Sequence, residues 1–484
     1  MRLSKTTKEL ILHNPLIKRY RYSLLRPSQF WIYLTIYTAV IGLLLFVNYS
    51  VRKIADDSVI DEGFYRNLYN QFLTVQVAIL WIWAAINSRS AIRDEVSNKT
   101  YDFFRLLPLS ALQKTSGILF GRNLLSLLFA AVTFVPIILF GLLGDLSVSF
   151  QVQVVLALLS IALFVNSLAL LSSNTAPRRQ GKTSIVLWVF FLIFIGPYFM
   201  FASFGAISQI FKAEECFVGF YSIELPVLLL ITFIFLYFGC WNILGIVRKF
   251  TFETEPLFNR KAAFLFLLGY ELIAIGLFLP HLSDKETPVY LFWLVSLMPV
   301  ILVPIGSLRN FDSYLECCGL LRLNSDSPKK GMTSTLLLHS NLALAIGLFA
   351  VWVIFSALMS LISHVGSSQF VFNAVVIFSF YLFLLLLLEL YVVYNPIYNK
   401  IGLLLGFITI LYLFLPIILS FALEIDPLRF YSPFGFFAHI FDPSENQDFP
   451  IRTSILIVNI LLCIVPTLLI RKRYLHILTL RQEM

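Results

Sequence analysis

Long apolar runs recur along this chain with no connecting segment large enough to fold as a soluble domain of ordinary size. Twelve runs can be placed, at 30 to 47, 68 to 86, 124 to 143, 152 to 171, 185 to 204, 225 to 247, 262 to 282, 289 to 306, 342 to 362, 371 to 393, 401 to 423 and 455 to 470. Each approaches or exceeds the length a helix needs to cross a hydrocarbon core of about 30 Å. With 59% hydrophobic residues, 13% charged residues and a mean hydropathy of +0.85, an ordinary soluble globule is excluded. The expected fold class is an all-α polytopic membrane protein of about twelve transmembrane helices, with short interfacial helices on the cytoplasmic side.

Charge gives the runs an orientation. With the N-terminus inside, 29 of the 36 Lys and Arg residues fall in cytoplasmic segments and 7 outside. Of the 27 acidic residues, 15 fall outside, 10 inside, and Glu271 and Glu389 lie within spans. This is the bias that flanking cations impose on membrane topology, and it places both termini in the cytoplasm of a cell inner (plasma) membrane. The net charge of +9 is then mostly headgroup attraction rather than nucleic-acid binding. The first run is full length with no small-residue cleavage site after it, so no cleaved signal peptide is expected. The cysteines, Cys216, Cys240, Cys317, Cys318 and Cys463, show no metal-ligand spacing, so neither a structural disulfide nor a metal site is expected.

The runs divide six and six. The layout reads as an interfacial helix (1–27), a six-helix half (28–247), a cytoplasmic linker (248–261), a second six-helix half (262–470) and a tail (471–484). Each half has its longest cytoplasmic segment between its second and third spans. Thr100 to Leu107 in the first is faintly echoed by Ser313 to Leu321 in the second, and each is followed by a proline, Pro108 and Pro328.

Near the N-terminus, Asn14 can cap a helix with Pro15 at its first position. Leu16, Ile17, Tyr20 and Leu24 then share one face, leaving Lys18, Arg19 and Arg21 to meet anionic headgroups. Between spans two and three, Arg93 to Glu95 opens a polar stretch. Thr100 to Leu107 reads as a short helix, with Phe103, Leu106 and Leu107 at helical spacing, and Pro108 stops it. A second polar turn is expected to lead through Gly121 and Arg122 into span three. A helix joined so tightly to two spans would transmit motion imposed on it.

Here the residues resemble a family. Glu95, Thr100, Phe104, Leu106, Leu107, Pro108, Leu109 and Ser110, then Gly121 and Arg122, are similar to the signature of ABC-2 type transporter permeases. Asn14 to Arg19 is similar to that family's entry helix, and Ser172 to Arg179 to its basic loop. Tyr431 to Phe434 resembles the Ser/Asn-Pro-Phe step before a permease's last span. Lys99 stands where the family has glycine, and Tyr20 where it has an acidic residue. The resemblance covers the first 200 or so positions, and beyond them only the span plan and the Ser-Pro-Phe patch.

The resemblance implies the membrane-spanning subunit of an ATP-driven exporter. Its partners would be ABC ATPase subunits, expected in two copies, which bind the ATP and Mg while this chain holds no cofactor of its own. Coupling to them would run through Glu95, Thr100, Tyr101, Phe103, Phe104, Leu106, Leu107 and Pro108, and secondarily through Tyr314, Leu315 and Glu316.

Other motifs carry less. Ala176 to Thr183 satisfies a loose phosphate-loop pattern, but it lies in a short turn between spans, without the preceding strand or glycine-rich turn that phosphate binding needs. Carboxylates within spans cost roughly 2.5–3.5 kcal/mol at a helix centre. Glu271, mid-span, is thus a candidate for substrate contact, proton binding or an interhelical hydrogen bond. Glu389, about a turn from the cytoplasmic end of span ten, is a second intramembrane transport candidate, placed where it could reach the interface. No Ser/His/Asp set surrounds a nucleophile elbow, so the chain is read as a transporter permease and not an enzyme. A twelve-span carrier driven by an ion gradient, with Glu271 as its coupling site, is the alternative. An accessory membrane protein would need a polar constellation outside, where Glu424 to Asp448 offers carboxylates with His439 beside them.

Overall fold

The computed structural model describes residues 14–54, 61–100, 106–175, 216–251, 257–281, 287–306, 341–363, 367–394, 415–423, 431 and 448–483. Eight of its helices are long and apolar enough to cross a membrane: Phe30–Val51, Glu62–Ser97, Leu124–Leu143, Val148–Ser173, Val227–Thr251, Arg260–His281, Leu342–Ile362 and Arg452–Arg473. Two shorter apolar helices, Pro288–Pro304 and Val371–Leu387, join them. These ten helices coincide with ten of the expected runs. The run at 185 to 204 lies outside the described residues, and that at 401 to 423 is described only from Leu415 to Leu423. Along the helices, residues such as Leu43, Phe46, Val135 and Leu265 are more than half exposed. Apolar surface on that scale is untenable in water and ordinary in lipid. The chain is a helical, multi-pass membrane protein.

The first compact unit holds α1 (Pro15–Leu24), α2 (Pro27–Ile54), α3 (Glu62–Val77), α4 (Ala84–Ser97), α5 (Ala111–Gly121), α6 (Leu124–Leu143), α7 (Val148–Thr175) and α8 (Val227–Thr251). Helix starts follow their caps. Asp61 Oδ1 accepts from Phe64 N at 2.8 Å, and Ser147 Oγ from Phe150 N at 3.3 Å. α3 and α4 are one continuous rod joined by a π-helical turn at Ala78–Trp83. At 36 residues this rod is about 54 Å long, far more than the roughly 30 Å thickness of a membrane core. The π turn loosens the backbone ladder, and the side chain of Asn166 on α7 donates to the carbonyl of Leu80 inside it at 3.1 Å. Tyr69, Phe72, Ile137, Val154 and Leu158 form the core between α3, α6 and α7.

The second unit holds α9 (Arg260–Phe278), α10 (Thr287–Gly306), α11 (Asn341–Ile362), α12 (Ser367–Tyr394), α13 (Leu415–Leu423) and α14 (Asp448–Glu483), with residues 219–224 of a hairpin, β1 (Phe217–Phe220) and β2 (Ile223–Pro226), placed against α9. Three prolines each strip a carbonyl of its helical partner, and in each case a tyrosine replaces it. Pro299 in α10 frees the Val295 carbonyl, which Tyr270 OH fills at 3.0 Å. Pro304 frees Val300, which Tyr381 OH fills at 2.9 Å. Pro280, just past α9, frees Gly276, to which Tyr221 N donates at 2.8 Å. In lipid an unfilled carbonyl is costly, so proline in a span needs such a neighbour.

Candidate functional site

At one end of the first unit, α1, the last turns of α4, and α5 form a polar platform on the ends of α2, α4 and α6. The cap expected at Asn14 is present: its Oδ1 accepts from Leu16 N at 3.0 Å, and its Nδ2 donates to the carbonyl of Gln113 at 2.8 Å, fixing α1 to α5. Leu16 and Tyr20 are buried on α5 as the apolar stripe requires, at 2% and 5% exposure.

The segment after span two differs from its sequence reading in three ways. The polar stretch opened by Arg93 to Glu95 is still helix, because α4, expected to end as a span at 86, carries on through Ser97. The expected polar turn before span three is instead α5, an eleven-residue helix. Its start is a capping box: Ser110 Oγ accepts from Gln113 N at 3.2 Å, while Gln113 Oε1 accepts from Ser110 N at 3.0 Å. The third difference concerns Arg19, which is not left to headgroups. It pairs with Glu95 at 3.0 Å.

Gly117 and Gly121 explain the close approach of α1 and α5. A Cβ on Gly117 would lie 2.8 Å from Leu16 Cβ, and one on Gly121 2.7 Å from Tyr20 Cδ2. Only a hydrogen at these two positions lets the helices meet, in the manner of small residues spaced by four at helix crossings.

Glu95 is the hub. Beyond Arg19, it accepts from Thr100 Oγ1 at 2.5 Å, and its own carbonyl takes the Thr100 N–H at 2.9 Å. Lys99 N bonds to the Val96 carbonyl at 3.2 Å, and Lys99 has φ 58°. Together these bonds make a Schellman stop for α4, whose left-handed position favours glycine. Beside the hub, Arg122 pairs with Asp94 and donates to Ser90 Oγ at 3.3 Å. Asn123 donates to Ser88 Oγ at 2.7 Å. Burial pushes the Tyr20 phenol above its ordinary range, and the Glu95 carboxylate adds to the effect.

Of the other expected coupling residues, Leu106 is 82% exposed, Leu107 partly buried and Pro108 exposed. Tyr101, Phe103, Phe104, Tyr314, Leu315 and Glu316 lie outside the described residues, as do Ala176 to Thr183 and Ser432 to Phe434. Sequence reasoning missed Asp94, Gln113 and Gly117. The Ser-x-x-Gln step at 110 to 113 and the Gly-x-x-x-Gly step at 117 to 121 were the signals for two of them.

No family model, curated protein or solved structure matches the chain.

In the second unit, Glu271 is fully buried on the stripe of α9 formed with Ala263, Leu267 and Ala274. Glu389 is 6% exposed on α12, which packs along α14, with Leu386, Cys463 and Ile470 in one cluster and Leu390 packed on it. Among the described residues, no group of three or more His, Cys, Asp or Glu is placed to hold a metal ion.

Proposed function

We propose that this chain is the permease subunit of an ATP-driven exporter, with two six-helix halves in one polypeptide and its polar platform facing the cytoplasm. The observation that carries the reading is the fastening of that platform. Short helices that do not span are tied to the ends of α4 and α6 by the Arg19–Glu95–Thr100 and Asp94–Arg122–Ser90 contacts. They are packed together at Gly117 and Gly121. A force applied to the platform passes to spans two and three without slack, which is what coupling to an external motor requires. Leu106, an exposed apolar side chain, is the contact offered to the ATPase, and anionic lipid headgroups border Lys18 and Arg21.

The test is transport by the double variant Leu106→Asp, Leu107→Asp. The expected result is loss of transport and of ATPase association with unchanged amounts of the chain in the membrane; full transport by that variant overturns the reading. The burial of Glu271 favours a second reading, a carrier driven by an ion gradient. Transport that survives ATP depletion and stops when the gradient is collapsed would establish it in place of the first.

A further inference from the structure

Towards its C-terminal end α14 carries three cations in succession, Arg471, Lys472 and Arg473, the first two exposed and the third half-buried. Length sets their level. The apolar part of α14, Arg452–Arg473, has 22 residues, about 33 Å of helix against a hydrocarbon core of about 30 Å. Arg452 and Arg473 therefore stand at the two headgroup levels. Tyr394, the last residue of α12, shares the second of them, where tyrosine is a usual membrane-interface residue.

Arg473 is held in place. Its guanidinium lies over the Tyr394 ring, 5.7 Å from the centroid, and Tyr394 OH donates to the Leu469 carbonyl, one turn earlier on α14, at 3.2 Å. In the first unit, arginines held at the membrane end have carboxylates: Arg19 pairs with Glu95 and Arg122 with Asp94. Arg473 has none. Among the described residues, Arg471, Lys472 and Arg473 form no ion pair, and the buried Nε of Arg473 meets no hydrogen-bond acceptor. Glu389, five positions before Tyr394 on α12, is buried and has an interaction of its own. A guanidinium keeps its charge at any physiological pH. One already fixed against a ring loses little further freedom in gripping an oxyanion, and its fork matches phosphate.

The surface beneath the cations decides what carries that phosphate. Leu461, Val465 and Leu468 are each more than half exposed, and Lys472 continues them at spacings of four, three and four, along one helix face. Arg473 follows Lys472 directly, its Cα about 3.8 Å away. An acyl chain lying on this stripe brings its own headgroup to Lys472 and Arg473, whereas a soluble phosphate gains nothing from the stripe. We infer that this end of α14 binds one anionic phospholipid, with Arg473 and Lys472 gripping the phosphate, Tyr394 positioning Arg473 and Arg471 adding to the local positive field. The site does not depend on which side of the membrane it faces.

The experiment uses the full chain, purified in detergent and stripped of lipid. It is titrated with phosphatidylglycerol or phosphatidylcholine of the same acyl chains, and bound lipid is counted by native mass spectrometry. The expected result is one tightest site that prefers phosphatidylglycerol by about tenfold or more and is not emptied by millimolar inorganic phosphate. Arg473→Gln and Lys472→Gln should each weaken it by about fivefold. Tyr394→Leu should weaken it less, with no further effect when combined with Arg473→Gln. Lys18→Gln with Arg21→Gln removes charge elsewhere and should leave the tightest site unchanged. Should Arg473→Gln fail to fold, the exposed Lys472 decides. The inference is overturned by equal binding of the two lipids, by displacement with inorganic phosphate, by full affinity in the Arg473 or Lys472 variant, or by an equal loss in the Lys18 and Arg21 variant. The assay involves no ATPase, so its failure leaves the exporter reading untouched.

Discussion

Gly117 shows how far one hydrogen atom can decide the assembly of α1 with α5. Gly117→Ala places a methyl 2.8 Å from Leu16 Cβ, an atom that cannot move without its backbone. Overpacking of this sort costs about 1–3 kcal/mol, which exceeds the roughly 1 kcal/mol that alanine contributes as a better helix former. The expected outcome is partial release of α1, read as faster tryptic cleavage at Lys18, Arg19 and Arg21 with the spans intact. Tyr20, packed over Gly121, adds a pH dependence. Its folded phenol resists ionisation, so above pH 10.0, the ordinary value, the detached state loses protons more readily and release is favoured as pH rises. Tyr20→Phe should remove that alkaline component from the cleavage profile while leaving the neutral-pH rate nearly unchanged. Both residues were half legible in the sequence. The stripe at Leu16 and Tyr20 was plain from helical spacing, but what it packs on was not, because a glycine pair acts by what it lacks and leaves no mark in hydropathy.

Elements end and bend here where local rules are met by distant partners. The stop of α4 puts Lys99 at φ 58°, a conformation that costs a side chain about 1–2 kcal/mol. Lys99→Gly should therefore raise the unfolding midpoint, offset in part by glycine's greater freedom in the unfolded chain, whereas Lys99→Val should lower it. In α10 the carbonyls freed by Pro299 and Pro304 are filled by Tyr270 and Tyr381. Tyr381→Phe is expected to cost about 1–3 kcal/mol by leaving the Val300 carbonyl bare. Adding Pro304→Ala restores a backbone N–H to that carbonyl, so the double variant should melt higher than Tyr381→Phe alone, a non-additivity that a double-mutant cycle measures. The prolines were visible in the sequence; their tyrosines, 25 and 81 positions away from the carbonyls they fill, were not. The same holds for α5. Its apolar content blends into span three; the capping box at Ser110 marks its start, and the turn at Arg122 and Asn123 separates the two.

For the whole molecule, hydropathy alone located ten helices, nearly all to within several residues, because a span's length and composition are set by the bilayer rather than by contacts; the rod at Glu62–Ser97 outruns its expected 68 to 86 at both ends. Contacts decide the rest. Glu389 is buried on α12, which packs along α14, a contact that hydropathy does not reveal. The orientation rests on charge and makes its own prediction. Cys216, exposed at the foot of the hairpin, should react with a membrane-impermeant thiol reagent on intact cells when it is the chain's single cysteine, and labelling confined to inverted vesicles would reverse the topology. The platform of α1, α4 and α5 would then face away from ATP. The central claim, that this platform receives force from a separate motor, is tested most directly by isolating the tagged chain from its native membrane under gentle detergent and weighing the complex. The account predicts one copy of this chain with two ATP-hydrolysing subunits, released together by Leu106→Asp with Leu107→Asp; a chain that comes away alone and transports fully when reconstituted alone would contradict it.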